Sequence, residues 1–338
     1  MLQLHATQMA VAINTAIHLN EPLFMWGSPG IGKSDLVRQV AEEHDAQLVD
    51  IRLAMWDSVD VRGIPTVTNG MTHWNPPAVL PFVGNERFDP KRMTILFMDE
   101  ILQAMPAVQS VAFQVALDRS IGEHKLMDNV RVIAASNRQS DRAGANRILT
   151  ALANRFDHVE LIPHLDSWCT WAWGRGLSAM VIAFLRLRPD LLNTFDPAKG
   201  DIAFATPRSW AKVCKVVDAK VSVDVRYALI AGLVGEGPAS ELEAFMRTWE
   251  TMPNIDGILL TPDGAKVPTD PATLFAVTAA LAQRAEKGNF ENICKYVGRL
   301  PQEYAMRCVK DSVKRKPEVQ MTKAFNKFAV DHADMWQD

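Results

Sequence analysis

The 338-residue sequence predicts an α/β fold, a parallel sheet sandwiched between helices and followed by a purely helical remainder. Three observations carry this. Strand-like segments at Pro22–Trp26, Gln47–Leu53, Thr94–Met98, Val130–Ser136 and His158–Ile162 alternate with helical patterns, which predicts a five-stranded parallel sheet. Two of them, Ile95–Met98 and Val132–Ala135, are continuous apolar runs, the form of a strand buried on both faces. From about residue 165 onward the apolar spacing is helical throughout.

Residues 6–18 place apolar side chains at helical spacing and lead into the first of these strands, so a helix packs beneath the sheet. Two insertions interrupt the α/β region. Asn69-Gly70 between β-favouring residues predicts a hairpin at about 64–75, and the stretch around Gly122-Glu123-His124-Lys125 predicts another at about 119–127. The α/β region ends near Pro163. Glycines at 174, 176, 200, 235 and 237 punctuate a helical domain over 164–250. A Pro/Gly/Asp-rich connector runs from Pro253 to Pro271, and further helices, divided near Gly288, Pro301 and Pro317, complete a C-terminal extension over 251–338.

Composition narrows the class. With 48% hydrophobic residues the chain can build real cores, while a net charge of −3 offers no global attraction for nucleic acid. No apolar run approaches a membrane span and no signal-peptide layout opens the chain, so a cytoplasmic location is expected. Cys169, Cys214, Cys294 and Cys308 form no C-x-x-C pair and sit among apolar neighbours, which predicts reduced thiols and no zinc site. Trp168, Trp171 and Trp173 read as packing residues, and Arg307, Lys310, Lys314, Arg315 and Lys316 as a solvated helix face.

Gly27-Ser28-Pro29-Gly30-Ile31-Gly32-Lys33-Ser34 fits G-x-x-x-x-G-K-[ST] at every position. In such a loop, backbone N–H groups close around phosphates, the Lys33 ammonium adds charge and the Ser34 hydroxyl can ligate Mg²⁺. The pattern arises by chance in about one chain in a hundred of this length. Its place between a strand and an amphipathic helix, whose N-terminal dipole faces the anion, makes a nucleotide triphosphate the expected ligand.

Ile95-Leu96-Phe97-Met98-Asp99-Glu100 delivers two carboxylates to the carboxyl end of a strand, as in a Walker B motif. Asp99 is the candidate Mg²⁺ ligand and Glu100 the candidate for polarising the attacking water. Val132–Ser136 similarly delivers Asn137, whose amide can both donate to a phosphate and accept from that water, or else simply start a turn.

With these motifs in this order, the chain from about Ala6 to Ala219 resembles the AAA+ ATPases, and within them the MoxR-like branch. The resemblance rests on the glycine loop, Asp57–Pro65 with Trp74-Asn75-Pro76-Pro77, Met98–Ile101 with Gln109-Ser110, Ile121–Leu126, Ala135–Arg138 and Ala151–Phe156. It implies an AAA+ αβα sandwich followed by an α-helical lid, with the two hairpins facing the channel of a hexameric ring. It further implies that Asn137 acts as sensor 1, that Arg155 is an arginine finger reaching a neighbouring subunit, and that Arg208 is the sensor 2 arginine. Arg138 and Arg147 fit a catalytic or a plain surface role equally. Where many MoxR-like proteins have Asn-Arg after the Walker B acids, this chain has Leu102-Gln103.

The implied function is a ring-forming ATPase that remodels or activates a protein partner, with von Willebrand factor A-type domain proteins among the candidates. Two rivals stand beside it, a nucleic-acid-threading motor and a nucleotide-gated scaffold with little turnover. The hairpin candidates carry little positive charge, which argues against phosphate tracking, and the set Glu100, Asn137 and Arg155 argues against a silent scaffold.

Overall fold

The computed structural model describes residues 1–121, 123–141, 144, 154–219 and 221–333. It divides into two compact units, the first Met1–Pro163 with Asp196–Gly200, the second His164–Phe195 and Asp201 onward.

The first unit is built on a sheet of six strands, β1 (Gln3–Leu4), β2 (Leu23–Trp26), β3 (Gln47–Arg52), β6 (Thr94–Asp99), β9 (Val130–Ser136) and β10 (Asp157–Leu161). They run parallel in the order β1-β10-β2-β9-β6-β3. The sheet thus has one strand more than expected. β1 is two residues long, too short to show a periodicity, and is held because the carbonyls of Leu2 and Leu4 accept the N–H groups of Glu160 and Ile162. Alternation along the strands sends Leu23, Met25, Ile95, Phe97, Ile133 and Ala135 to one face and Phe24, Trp26, Leu96, Met98, Val132 and Ala134 to the other. The first face is covered by α1 (Ala6–Leu19) and α2 (Lys33–Glu43) through Met9, Ile13, Val37 and Val40. The second is covered by α4 (Pro106–Asp118), while α3 (Ser58–Arg62) adds Val61. Each such buried aliphatic side chain stabilises the fold by about 1.5–3 kcal/mol.

Both hairpins form, as β4 (Ile64–Thr68) with β5 (Met71–Asn75) and as β7 (Ser120–Ile121) with β8 (His124–Lys125). Gly63 at the base of the first is required, since its φ is +85° and a Cβ would lie 1.8 Å from the Asn75 carbonyl oxygen. The hairpins bond to each other through Trp74 N–H to Glu123 Oε1 (3.4 Å) and His124 Nε2–H to the Trp74 carbonyl (2.8 Å).

The second unit is helical: α5 (Leu165–Gly174), α6 (Ala179–Leu187), α7 (Pro207–Asp218), α8 (Val223–Val234) and α9 (Glu236–Thr251), then α10 (Ile255–Leu260), α11 (Pro271–Arg284), α12 (Phe290–Val297), α13 (Gln302–Arg315) and α14 (Lys323–Asp331). Gly237 lies inside α9 and ends nothing, and the connector after Pro253 contains α10, which Asn254 starts by capping Asp256 and Gly257. One core runs from Trp168 to Phe328, so residues before and after 250 share it. Within it Arg186 and Asp311 form a buried bidentate pair, with Arg186 Nη2 donating to Asp311 Oδ1 at 2.7 Å. Trp168 and Trp173 are core residues and Trp171 packs against them. Cys169, Cys214 and Cys308 are buried and Cys294 half-buried, all as free thiols; burial pushes Cys169 up to about 11 and Cys214 and Cys294 up to about 12. The basic face of α13 is partly tied down, with Lys314 donating to Thr170 and the Arg307 guanidinium over the Phe275 ring. No helix among the described residues is long and apolar enough to cross a membrane.

Candidate functional site

The parallel register lines up the carboxyl ends of three neighbouring strands. Trp26 pairs with Ser136 and Met98 with Ala134, so the residues that follow, Gly27, Asn137 and Asp99, emerge side by side. Gly27 N–H donates to the Ser136 carbonyl (3.2 Å), and a Cβ on Gly27 would meet the Leu161 carbonyl at 2.9 Å, so the loop leaves the sheet at a point with no room for a side chain. Gly30 and Gly32 then take positive φ (+76° and +98°), and open space surrounds the position a Gly32 Cβ would take. Gly32 begins α2 without a side-chain cap, which leaves that helix end's N–H groups facing the loop. Ser28, Ile31 and Lys33 are buried, and Pro29, Gly30, Gly32 and Ser34 are half-buried.

Lys33 folds back into the loop. Its ammonium donates to the carbonyls of Gly27 (2.6 Å) and Ser28 (3.1 Å) and to Asn137 Oδ1 (2.9 Å). One residue on, the Ser34 hydroxyl donates to Asp99 Oδ2 at 2.8 Å, while Asp99 Oδ1 accepts the Glu100 N–H at 2.9 Å. Hard oxygen donors from a loop-helix junction and a strand end therefore converge, the donor chemistry that suits Mg²⁺. Beside them, burial and then the Asp99 carboxylate raise Asp50 above the usual carboxylate range, against the opposing pull of Arg38, paired with it at 3.4 Å. Glu100 itself sits at φ +56°, a left-handed conformation that costs a non-glycine residue about 1–2 kcal/mol. That conformation turns the chain, so that Glu100 stands at the N-cap position of the short turn Ile101–Gln103, its carbonyl accepting the Gln103 N–H at 3.0 Å without a side-chain cap bond, and the residue is half-buried.

Arg138 is firmly held. It donates from Nε to Asp141 Oδ1 (3.0 Å), from Nη1 to Glu160 Oε1 (2.7 Å), and from Nη2 to the Ser28 hydroxyl within the glycine loop. Sequence reasoning missed Asp141 and Glu160 in this network; an acid in the otherwise apolar part of β10 was the available signal. It also missed what Leu102-Gln103 does. Leu102 is core, and Gln103 Oε1 accepts the Ser136 hydroxyl at 2.9 Å, joining the turn after Asp99-Glu100 to the strand end before Asn137.

One predicted residue of the first unit is not brought to this constellation. Arg155 is half-buried in the turn before β10, and because Asp157 pairs with Leu23 at the start of β2, it lies on the amino-end edge of the sheet. The length of β2, at about 3.3 Å per residue, separates that edge from the glycine loop by more than roughly 10 Å. Arg208 belongs to the second unit, exposed in the first turn of α7, whose Ser209, Trp210, Val213 and Cys214 are buried. Arg147 and most of the segment that precedes Asn154 lie outside the described residues.

A glycine loop between β2 and α2, two acids ending β6 and an asparagine after β9, set on a parallel sheet with helices on both faces, define the AAA+ P-loop NTPase fold. Residues 22–156, which hold the whole constellation, match the AAA domain family, dynein-related subfamily, and this part of the chain is an AAA domain. Among solved structures, the chain is similar to the RuvB Holliday junction branch migration motor of Thermotoga maritima, at 15% identity and a TM-score of 0.39 over 82% of this chain and 80% of that one. It is also similar to NtrX from Brucella abortus in complex with ATP, at 14% identity and a TM-score of 0.42 over 99% of this chain and 69% of that one.

Proposed function

We propose that this chain is a MoxR-like ATP hydrolase that assembles into a homo-oligomeric ring, a hexamer by resemblance, and couples ATP binding and hydrolysis to the remodelling or activation of a protein partner. The observation that carries this reading is the convergence of the Ser34–Asp99 and Lys33–Asn137 bonds beneath an uncapped helix N-terminus. In it, residues 1–163 bind the nucleotide, 164–250 form the lid and 251–338 extend it.

The residues take these roles. The loop Gly27–Ser34 holds the β- and γ-phosphates through those of its backbone N–H groups that are free to donate, Pro29 having none and that of Gly27 being bonded to Ser136, and the Lys33 ammonium exchanges its loop carbonyls for phosphate oxygens, a stronger acceptor. Mg²⁺, held by Ser34 and by Asp99 through water, would neutralise phosphate charge. The Glu100 carboxylate orients the attacking water and takes its proton, and Asn137 holds that water or the γ-phosphate oxygen from the opposite side. Arg155 cannot reach its own subunit's glycine loop across the sheet, which supports delivery to the nucleotide of a neighbour. Arg208 reaches the γ-phosphate from the helical lid. A polypeptide is the favoured partner because the β4–β5 hairpin exposes Ile64, Val67, Met71 and Trp74 and contains no Lys or Arg. Von Willebrand factor A-type domain proteins are the partner class the resemblance points to.

The test pairs two variants. Lys33→Ala is expected to lose ATP binding by calorimetry, whereas Glu100→Gln keeps binding while phosphate release falls by about 10²-fold or more. Equal loss of binding in both would make Glu100 structural, and unchanged binding in Lys33→Ala would overturn the site.

A further inference from the structure

The second unit contains a cleft of about 270 Å³ that has no part in the site described above. Its lining is distinctive in where it comes from. Asp218 is the last residue of α7, Trp249 and Glu250 lie in the last turn of α9, and Gln283 lies in the last turn of α11. Three helix C-termini thus contribute their negative dipole ends, against one positive end from the start of α6 at Ser178 and Met180.

Side-chain charge adds to the dipoles. Neither the Asp218 nor the Glu250 carboxylate makes an ion pair or hydrogen bond among the described residues, although the exposed Lys215 and Arg247 stand three residues before them on the same helices. Arg226, whose charge Glu250 feels, is gripped by Glu243 through Nε (3.1 Å) and Nη2 (3.0 Å), and Arg284 pairs with Asp256 at 3.0 Å. The Ser178 hydroxyl supplies an independent sign of a ligand. The residue is only 8% exposed and stands at the N-cap of α6, yet its side chain makes no cap bond and no other hydrogen bond among the described residues, and it lines the cleft. The remaining walls are apolar or aromatic, Met180, Met246 and the Trp249 indole.

We propose that this cleft binds a guanidinium group. The negative field selects a cation, and the volume, just below the roughly 300–1,000 Å³ of small-molecule sites, suits a single side-chain-sized group. Between organic cations, the guanidinium fits these walls better than an ammonium: it is planar, weakly hydrated, stacks on an indole, and carries enough N–H donors for both carboxylates and the Ser178 oxygen. The group could be an arginine side chain of a polypeptide or a small free guanidine, and the chemistry of recognition is the same.

The experiment uses full-length protein labelled with 5-fluorotryptophan, with the Trp249 ¹⁹F resonance assigned through Trp249→Phe. Two probes are titrated, N-acetyl-arginine-N′-methylamide and agmatine, with the neutral citrulline counterpart as control. A saturable shift of the Trp249 resonance with at least one guanidinium probe, absent with citrulline and weakened about tenfold or more in Asp218→Asn or Glu250→Gln, is the expected result. Tighter binding of the blocked arginine identifies a peptide source, and binding of agmatine alone identifies a small molecule. No shift with either probe, an equal shift with citrulline, or undiminished affinity in both carboxylate variants overturns the proposal; if one variant fails to fold, the other decides. The outcome is independent of whether the first unit hydrolyses ATP.

Discussion

Ser34 Oγ and Asp99 Oδ2 are hydrogen-bonded at 2.8 Å although 65 residues separate them in the chain. The bond closes the distance between the glycine loop and the end of β6, and it sets the two oxygens where one divalent cation can reach both. Replacing Ser34 by Ala should therefore raise the Mg²⁺ concentration needed for half-maximal phosphate release by about tenfold or more while leaving the fold intact. A metal titration of turnover, with circular dichroism as the folding control, checks this; an unchanged Mg²⁺ requirement would detach Ser34 from the metal.

Arg155 lies at the amino-end edge of its own sheet, the edge opposite the glycine loop. Mixing inactive Lys33→Ala with inactive Arg155→Ala protein should restore partial hydrolysis, because a mixed ring contains interfaces with an intact loop from one chain and an intact arginine from the other. An arginine supplied in trans is worth about 10³–10⁵ in rate in nucleotide hydrolases. Mixed rings that form but show no recovery at any ratio would remove Arg155 from the mechanism.

Gly63 can be tested without touching the nucleotide site. In Gly63→Ala the new Cβ collides with the Asn75 carbonyl, so the base of the β4–β5 hairpin must open. Since the whole hairpin is exposed, overall stability should change little, while proteolytic nicking within 64–75 accelerates several-fold. Equal nicking rates in the two proteins would mean that the hairpin base is not held as described.

The Arg186–Asp311 pair makes a stability prediction for the second unit. Asp311→Ala strands a buried guanidinium and should cost about 3–5 kcal/mol in urea unfolding, whereas the double replacement Arg186→Met with Asp311→Leu should recover most of that loss. If the double variant is as unstable as the single one, the pair's value lies in its shape and not in its charge.

Much of the site was legible because it is local. The glycine loop, the acids after Ile95–Met98 and the asparagine after Val132–Ser136 each sit at the end of a continuous apolar run, and in a parallel sheet such runs must end on one edge. Sequence was equally sufficient for the two hairpins, where Asn69-Gly70 carries its own turn geometry, and for the unpaired cysteines. The two-residue strand β1 was not legible, since it exists only through bonds to β10, and neither was α10 behind the prolines of the connector.

By itself, then, the order of residues determined which functional groups stand at the strand ends, because glycine loops, strand-end acids and tight turns are specified within a few consecutive positions. Tertiary structure alone decided where that chemistry is assembled. The pairing of Asp157 with Leu23 sends Arg155 to the far edge, the left-handed residue Glu100 turns the chain directly after Asp99, and Arg138 reaches Ser28, Asp141 and Glu160 at once. The meeting of three helix ends at Asp218, Glu250 and Gln283 is of the same kind. Each depends on contacts between segments far apart in the chain, whose geometry is set by strand register and core packing rather than by any local pattern of side chains.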